Sequence, residues 1–172
     1  MKKLFLLGIL LSSNAFADEN NTSHGAWKTT NIIIDGKTIM CTISTKSGDA
    51  GLDIMFPAVG GEPKISFNLD NKDIGPEKPR TAYLKYGSSE RKITFDNEKN
   101  YEKANFTSFE SSYDVPNLTN LLEDISKEKS FEISAPFIKN KGWVYTTNSY
   151  KFDMNGFDES TADLTRCLKN IQ

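Results

Sequence analysis

The chain has 172 residues, of which 37% are hydrophobic and 26% charged, with 21 Lys and Arg against 23 Asp and Glu. That length suffices for one domain with a real core. The slight acidic excess argues against a nucleic-acid partner, since phosphate backbones are met by a basic patch or stripe.

The opening "MKKLFLLGILLSSNAFA" has two lysines, an apolar run from Leu4 to Leu11 and an Ala15-Phe16-Ala17 ending. That order of charge, apolar run and small residues predicts a bacterial secretory signal over residues 1–17, cleaved before Asp18. The run falls short of the roughly 20 apolar residues a bilayer requires, so no membrane span is expected. Removing the segment takes Lys2 and Lys3 and no acid, so 21 basic residues become 19 against 23 acids, a net charge of −4. The mature chain is expected in the periplasm or secreted.

Residues 18–26, "DENNTSHGA", are polar and aperiodic and read as a flexible leader. Residues 27–172 read as a single β-rich domain. Asp35-Gly36 lies between two β-rich runs in "WKTTNIIIDGKTIMCTIST", which predicts a hairpin with a type I′ turn. Strands follow at "LDIMF" and "PKISFNL". In the second, Ile65, Phe67 and Leu69 alternate with Lys64, Ser66 and Asn68, which places three apolar residues on one face. The segment 70–80 reads as loop, "TAYLKYG" and "RKITFDN" as a hairpin across 87–89, and "KANFTSFESS" as a weaker strand.

At Asp114 the period changes. Leu118, Leu121, Leu122 and Ile125 recur at helical spacing, with Asp114 or Asn117 as N-cap and Pro116 in the entry turn. "SFEISAPF" alternates as a strand, "IKNKG" turns, and "WVYTTNSYKFDM" returns with Tyr150, Phe152 and Met154 aligned. A closing helix carries Asp158 and Glu159 in its first turn, where the dipole favours acids. Its apolar stripe is Leu164, Leu168 and Ile171, and Cys167 shares that side. The fold class is therefore mainly β, a single antiparallel sandwich-like domain with two short helices, one of them C-terminal.

Two cysteines in an oxidising compartment pair more often than not, so a Cys41–Cys167 disulfide is expected, with two free thiols as the alternative. They do not form a CxxC pair, and without a neighbouring histidine they make a poor zinc site. The single histidine, His24, falls in the leader and reads as a tail residue. Without a histidine in the ordered core, no Ser-His-Asp or Cys-His arrangement is expected, and Gly60-Gly61 lacks the lysine and the strand-to-helix setting of a phosphate loop. Asp49, Asp53, Asp70, Asp73, Asp96, Glu98, Asp158, Glu159 and Asp163 read as solvated charge rather than a catalytic pair or a calcium loop. No catalytic residue, metal or cofactor is assigned. Of the aromatics near strands, alternation sends some of Trp143, Tyr145 and Tyr150 to an outer face, which makes them the candidate binding surface.

The signal segment, the tryptophan of "GAWKTT", the cysteine strand "TIMCTIS", the unit "LLEDISKEKSFEISAP" and the ending "YKFDMNGFDESTADLTRCLKN" together resemble the invasion-associated locus B family of bacterial secreted proteins. The ending, an alternating strand into Gly-Phe, a short helix and a late cysteine, carries most of the likeness. The resemblance implies a sandwich-like fold, a periplasmic or surface role and no catalytic residues to transfer. The expectation is an exported, non-enzymatic protein that binds another protein in host interaction or envelope function. The alternative is a periplasmic accessory or immunity protein that acts on a toxin, a hydrolase or a secretion system. An acidic surface would suit that role by steering onto a basic enzyme.

Overall fold

The computed structural model describes residues 17–58, 60–74, 78–138 and 145–171. In chain order the elements are β1 (Ala17–His24), β2 (Trp27–Ile34), β3 (Lys37–Ser47), β4 (Ala50–Pro57), β5 (Lys64–Asp70), β6 (Thr81–Tyr86), β7 (Ser89–Thr94), β8 (Asn97–Tyr101) and β9 (Phe106–Ser112). They continue with α1 (Val115–Ser126), β10 (Ser130–Ile138), β11 (Tyr145–Asp153) and α2 (Phe157–Lys169). One sheet runs β1-β2-β3-β4-β5-β9-β8 and the other β11-β10-β6-β7, with every pairing antiparallel. The chain is mainly β, sandwich-like, with a closing helix, as the alternation in the sequence implied.

The β2–β3 hairpin turns where Asp35-Gly36 stands. Both residues have positive φ, 51° and 74°, as a type I′ turn demands. The β6–β7 hairpin turns on Gly87-Ser88 alone, and Ser89 already pairs with Tyr86. Asp114 caps α1, its carboxylate accepting from Asn117 N–H at 2.7 Å. Leu118, Leu121 and Ile125 then bury into the core.

The core lies between the sheets. Leu52, Ile54, Ile65, Phe67, Leu69 and Phe109 from the larger sheet meet Ala82, Leu84, Phe131, Ile133 and Phe152 from the smaller. Phe131 and Phe152 stack with centroids 5.2 Å apart. α2 packs over β1, β2 and β3 beside the smaller sheet. Trp27 anchors that corner, 1% exposed: its ring meets Phe157 edge-on at 4.8 Å, and its indole N–H donates to the Asp153 carbonyl at 2.8 Å.

Cys41 and Cys167 form a disulfide, Cα to Cα 6.0 Å, with both residues buried. The bond ties α2 to the middle of β3 and closes the chain between positions 126 residues apart. No helix among the described residues is long and apolar enough to cross a membrane.

The expectation of a flexible leader over 18–26 is corrected. Residues Ala17–His24 form β1, which pairs with β2 from Ala17↔Ile34 to His24↔Trp27. Apolar periodicity could not reveal this strand, because its residues are polar and exposed and it is held by backbone pairing with β2, with its end fixed by polar contacts to the C-terminal region. His24 Nε2–H donates to Asp163 Oδ2 at 2.8 Å, across 139 residues of sequence. Ala26 N–H donates to Asn155 C=O at 2.9 Å. The turn after β1 packs so closely on Gly156 (φ 86°) that a Cβ there would stand 2.0 Å from the His24 carbonyl oxygen. The predicted signal segment lies outside the described residues, apart from Ala17.

Candidate functional site: the outer face of the large sheet

Directly paired residues of antiparallel strands share a face. Following the register across the large sheet, Lys28, Ser44, Asp53, Ser66, Glu110 and Asn97 form one continuous row. A second row runs Lys46, Gly51, Asn68, Ser108, Lys99, and a third Thr30, Thr42, Met55, Lys64, Ser112. All lie on the side opposite the core. This outer face is mostly polar from β3 to β8, with Met55 in the third row, and turns apolar in the row beyond it, where Ile32, Met40 and Pro57 pair.

The rows are stitched into a network. Asn68 Nδ2–H donates to Asp53 Oδ2 at 2.7 Å, and Ser66 Oγ–H donates to Asn68 Oδ1 at 3.1 Å. The Ser66 and Ser108 hydroxyls stand 2.5 Å apart. Farther along, Glu110 is 3% exposed and receives Lys64 Nζ–H and Asn97 Nδ2–H at 3.0 Å on one oxygen, and Lys99 Nζ–H at 2.7 Å on the other.

The two carboxyls of the middle row are driven apart in acidity. Burial pushes Asp53 up to about 6, against the Asn68 hydrogen bond and the charges of Lys46 and Lys28, which pull it down. Burial also acts to raise Glu110, but the hydrogen bonds from Lys99, Lys64 and Asn97 outweigh it and hold its carboxyl below the usual range. Glu110 has committed both oxygens and acts as a fixed anion that pins three strands. Asp53 is a carboxyl poised to change charge in mildly acidic water.

Two grooves lie beside the sheets, and the first reaches the Glu110 cluster through Asn97. One of about 800 Å³ opens where the chain crosses from β7 to β8, lined by Lys78, Arg80, Phe95, Asp96, Asn97 and Glu98, and Lys78 pairs with Glu98 there. Another of about 580 Å³ lies by the start of β10, with Lys85, Lys127, Lys129 and Lys151 among its lining. Among the described residues no group of three or more His, Cys, Asp or Glu is placed to hold a metal ion.

The sequence-based candidates fare unevenly. Cys41 and Cys167 meet. Tyr150 stands half-buried on the inner side of β11, its ring 5.7 Å from Phe67, which removes it from an outward strip. It shares parity with Phe152, and alternation put it on that side from the start. Tyr145 pairs with Ile138 as a backbone position; its side chain, and all of Trp143, lie outside the described residues. The reading of the acids as solvated charge misses Asp53, seated mid-strand, and Asp163, 9% exposed on α2 and engaged by His24 and Arg166. Cross-strand register would have exposed the Asp53–Glu110 row, and single-strand patterns do not supply register.

Compared with known proteins, the chain matches no family model, no curated protein and no solved structure.

Proposed function

We propose that the protein is an exported, non-enzymatic binding protein of the bacterial envelope, allied to the invasion-associated locus B family, and that its working surface is the outer face of the large sheet. One observation carries the binding reading. Four neighbouring strands, β4, β5, β9 and β8, carry polar side chains fixed in two hydrogen-bonded groups, Asp53 with Asn68, Ser66 and Ser108, and Glu110 with Lys64, Asn97 and Lys99. The buried Ser66, Ser108 and Glu110 stiffen the face that Lys64, Asn97 and Lys99 present to solvent. A pre-ordered polar surface loses little side-chain entropy on docking. The described residues offer no comparable apolar surface, since only Tyr83 and Val115 are exposed among the large hydrophobics. The export reading draws on the buried disulfide, which persists in oxidising compartments, and on the charged, apolar and small-residue order of the first 17 residues.

The test places a photoreactive side chain at Ser44, on this face, or at Tyr83, on the smaller sheet, in cells that produce the protein. A discrete adduct from position 44, absent at position 83, is the expected result. Equal labelling from both positions, or none from either, overturns the assignment of the face.

A further inference from the structure

The two sheets leave four edge strands: β1 and β8 on the larger, β7 and β11 on the smaller. An unpaired edge invites another strand unless it is short, charged, bulged or covered. β7 has six residues, three of them charged in succession (Glu90, Arg91, Lys92). β8 has only five residues and carries Glu98 and Lys99. β11 carries Lys151 and Asp153, and it crosses over β3, where α2 packs beside it. Among the described residues β1 is not covered on its outer edge, and its charges stand only at its ends, Asp18 and Glu19 at one and His24 at the other. It is eight residues long, pairs with β2 in unbroken register, and runs Asn20-Asn21-Thr22-Ser23 without charge, proline or bulge. Its residues from Asp18 to Ser23 are exposed, and its far end is held to α2 by His24 and Asp163.

We propose that β1 is a self-association edge: two copies of this chain join β1 to β1, antiparallel, about a twofold axis at Asn21, making one continuous sheet. Charge selects both the occupant and the register. With Asn21 facing Asn21, Asp18 of each copy faces His24 of the other, Glu19 faces Ser23, and Asn20 faces Thr22. The four acids thus lie at opposite ends, each pair away from its counterpart and beside an imidazole or a hydroxyl. His24 donates Nε2–H to Asp163, so its Nδ1 can donate to Asp18 of the second copy only when the ring carries both protons. A shift of two residues either way loses the pairing of Asp18 with His24.

The helices fit as well. The two β2 strands would lie three strand spacings apart, about 14 Å. Two helices need about 8–10 Å between their axes, so α2 of each copy finds room on the shared inner face. Closed twofold pairing is also the commonest way for identical chains to associate.

The experiment uses the purified mature protein, beginning at Asp18, and three variants in sedimentation equilibrium and non-reducing gels. The wild type is expected to sediment as a concentration-dependent dimer in the micromolar range. Asn21→Lys sets two ammonium groups face to face on the axis and is expected to leave a monomer with an unchanged circular dichroism spectrum. Asn21→Cys is expected to yield a covalent dimer on mild oxidation, whereas Lys99→Cys on the β8 edge is not. A monomeric wild type overturns the proposal. So does a dimer that Asn21→Lys leaves intact, or equal cross-linking from positions 21 and 99. The cross-link is read on folded protein, so a folding defect in the lysine variant does not rescue the idea.

Discussion

Asp53→Asn should stabilise this protein at neutral pH. In the unfolded chain the carboxyl titrates near its ordinary value of 3.8; in the folded protein burial lifts it to about 6. The folded state therefore holds its proton more tightly, and stability falls as pH rises from about 4 through 6, then levels off. A shift of roughly two pH units corresponds to about 3 kcal/mol. Part of the side chain meets water, so we take about half, 1–2 kcal/mol, as the cost of the carboxylate at pH 7.5. Asparagine carries no charge, and its own carbonyl can still accept from Asn68. The variant should thus melt roughly 3–6 °C above wild type at pH 7.5, and the two should converge near pH 4. Urea titrations at both pH values measure this directly. Groups such as Glu110 titrate in both proteins and cancel in the difference. A variant less stable than wild type at pH 7.5 would refute the reasoning. It would mean that Lys28 and Lys46 favour the carboxylate more than burial opposes it.

Three further outcomes follow from the same geometry. Cys41→Ala with Cys167→Ala opens a loop of 126 residues, for which chain entropy gives about 5 kcal/mol; thermal unfolding should fall by roughly 10–20 °C. Glu110→Gln leaves Lys64 and Lys99 without their anion and should cost about 2 kcal/mol at pH 7, less than a fully buried pair because both lysines reach solvent. Since the Glu110 carboxyl is held low, that stabilisation is present above its unfolded value and lost as pH falls, so the variant should lack part of the wild-type acid limb in urea titrations against pH. Gly156→Ala forces a left-handed backbone on a Cβ that would strike the His24 carbonyl; about 2 kcal/mol or more should be lost, with hydrogen exchange rising first along β1.

What could be read from the sequence was whatever a local period or a local turn encodes. The Asp35-Gly36 hairpin needs only two adjacent residues, and α1 needs only its leucine stripe and the Asp114 cap. The placement of Cys167 on the inner side of α2 followed from one turn of helix after Leu164. β1 stayed hidden because "ADENNTSH" offers no apolar alternation and is defined by pairing with β2, while His24 and Ala26 are held by Asp163 and Asn155 at the other end of the chain. β8 stayed hidden because "NEKNY" offers no apolar alternation and is defined by pairing with β9. The candidate face depended on register across six strands, which becomes visible only when Ser44, Asp53, Ser66 and Glu110 are seen side by side.

The intact mass of the protein recovered from the bacterial envelope tests the account at its centre. A chain beginning at Asp18 and two hydrogens lighter than its reduced form is the predicted species. A chain found in the cytoplasm with its first 17 residues in place and both thiols free would contradict the account.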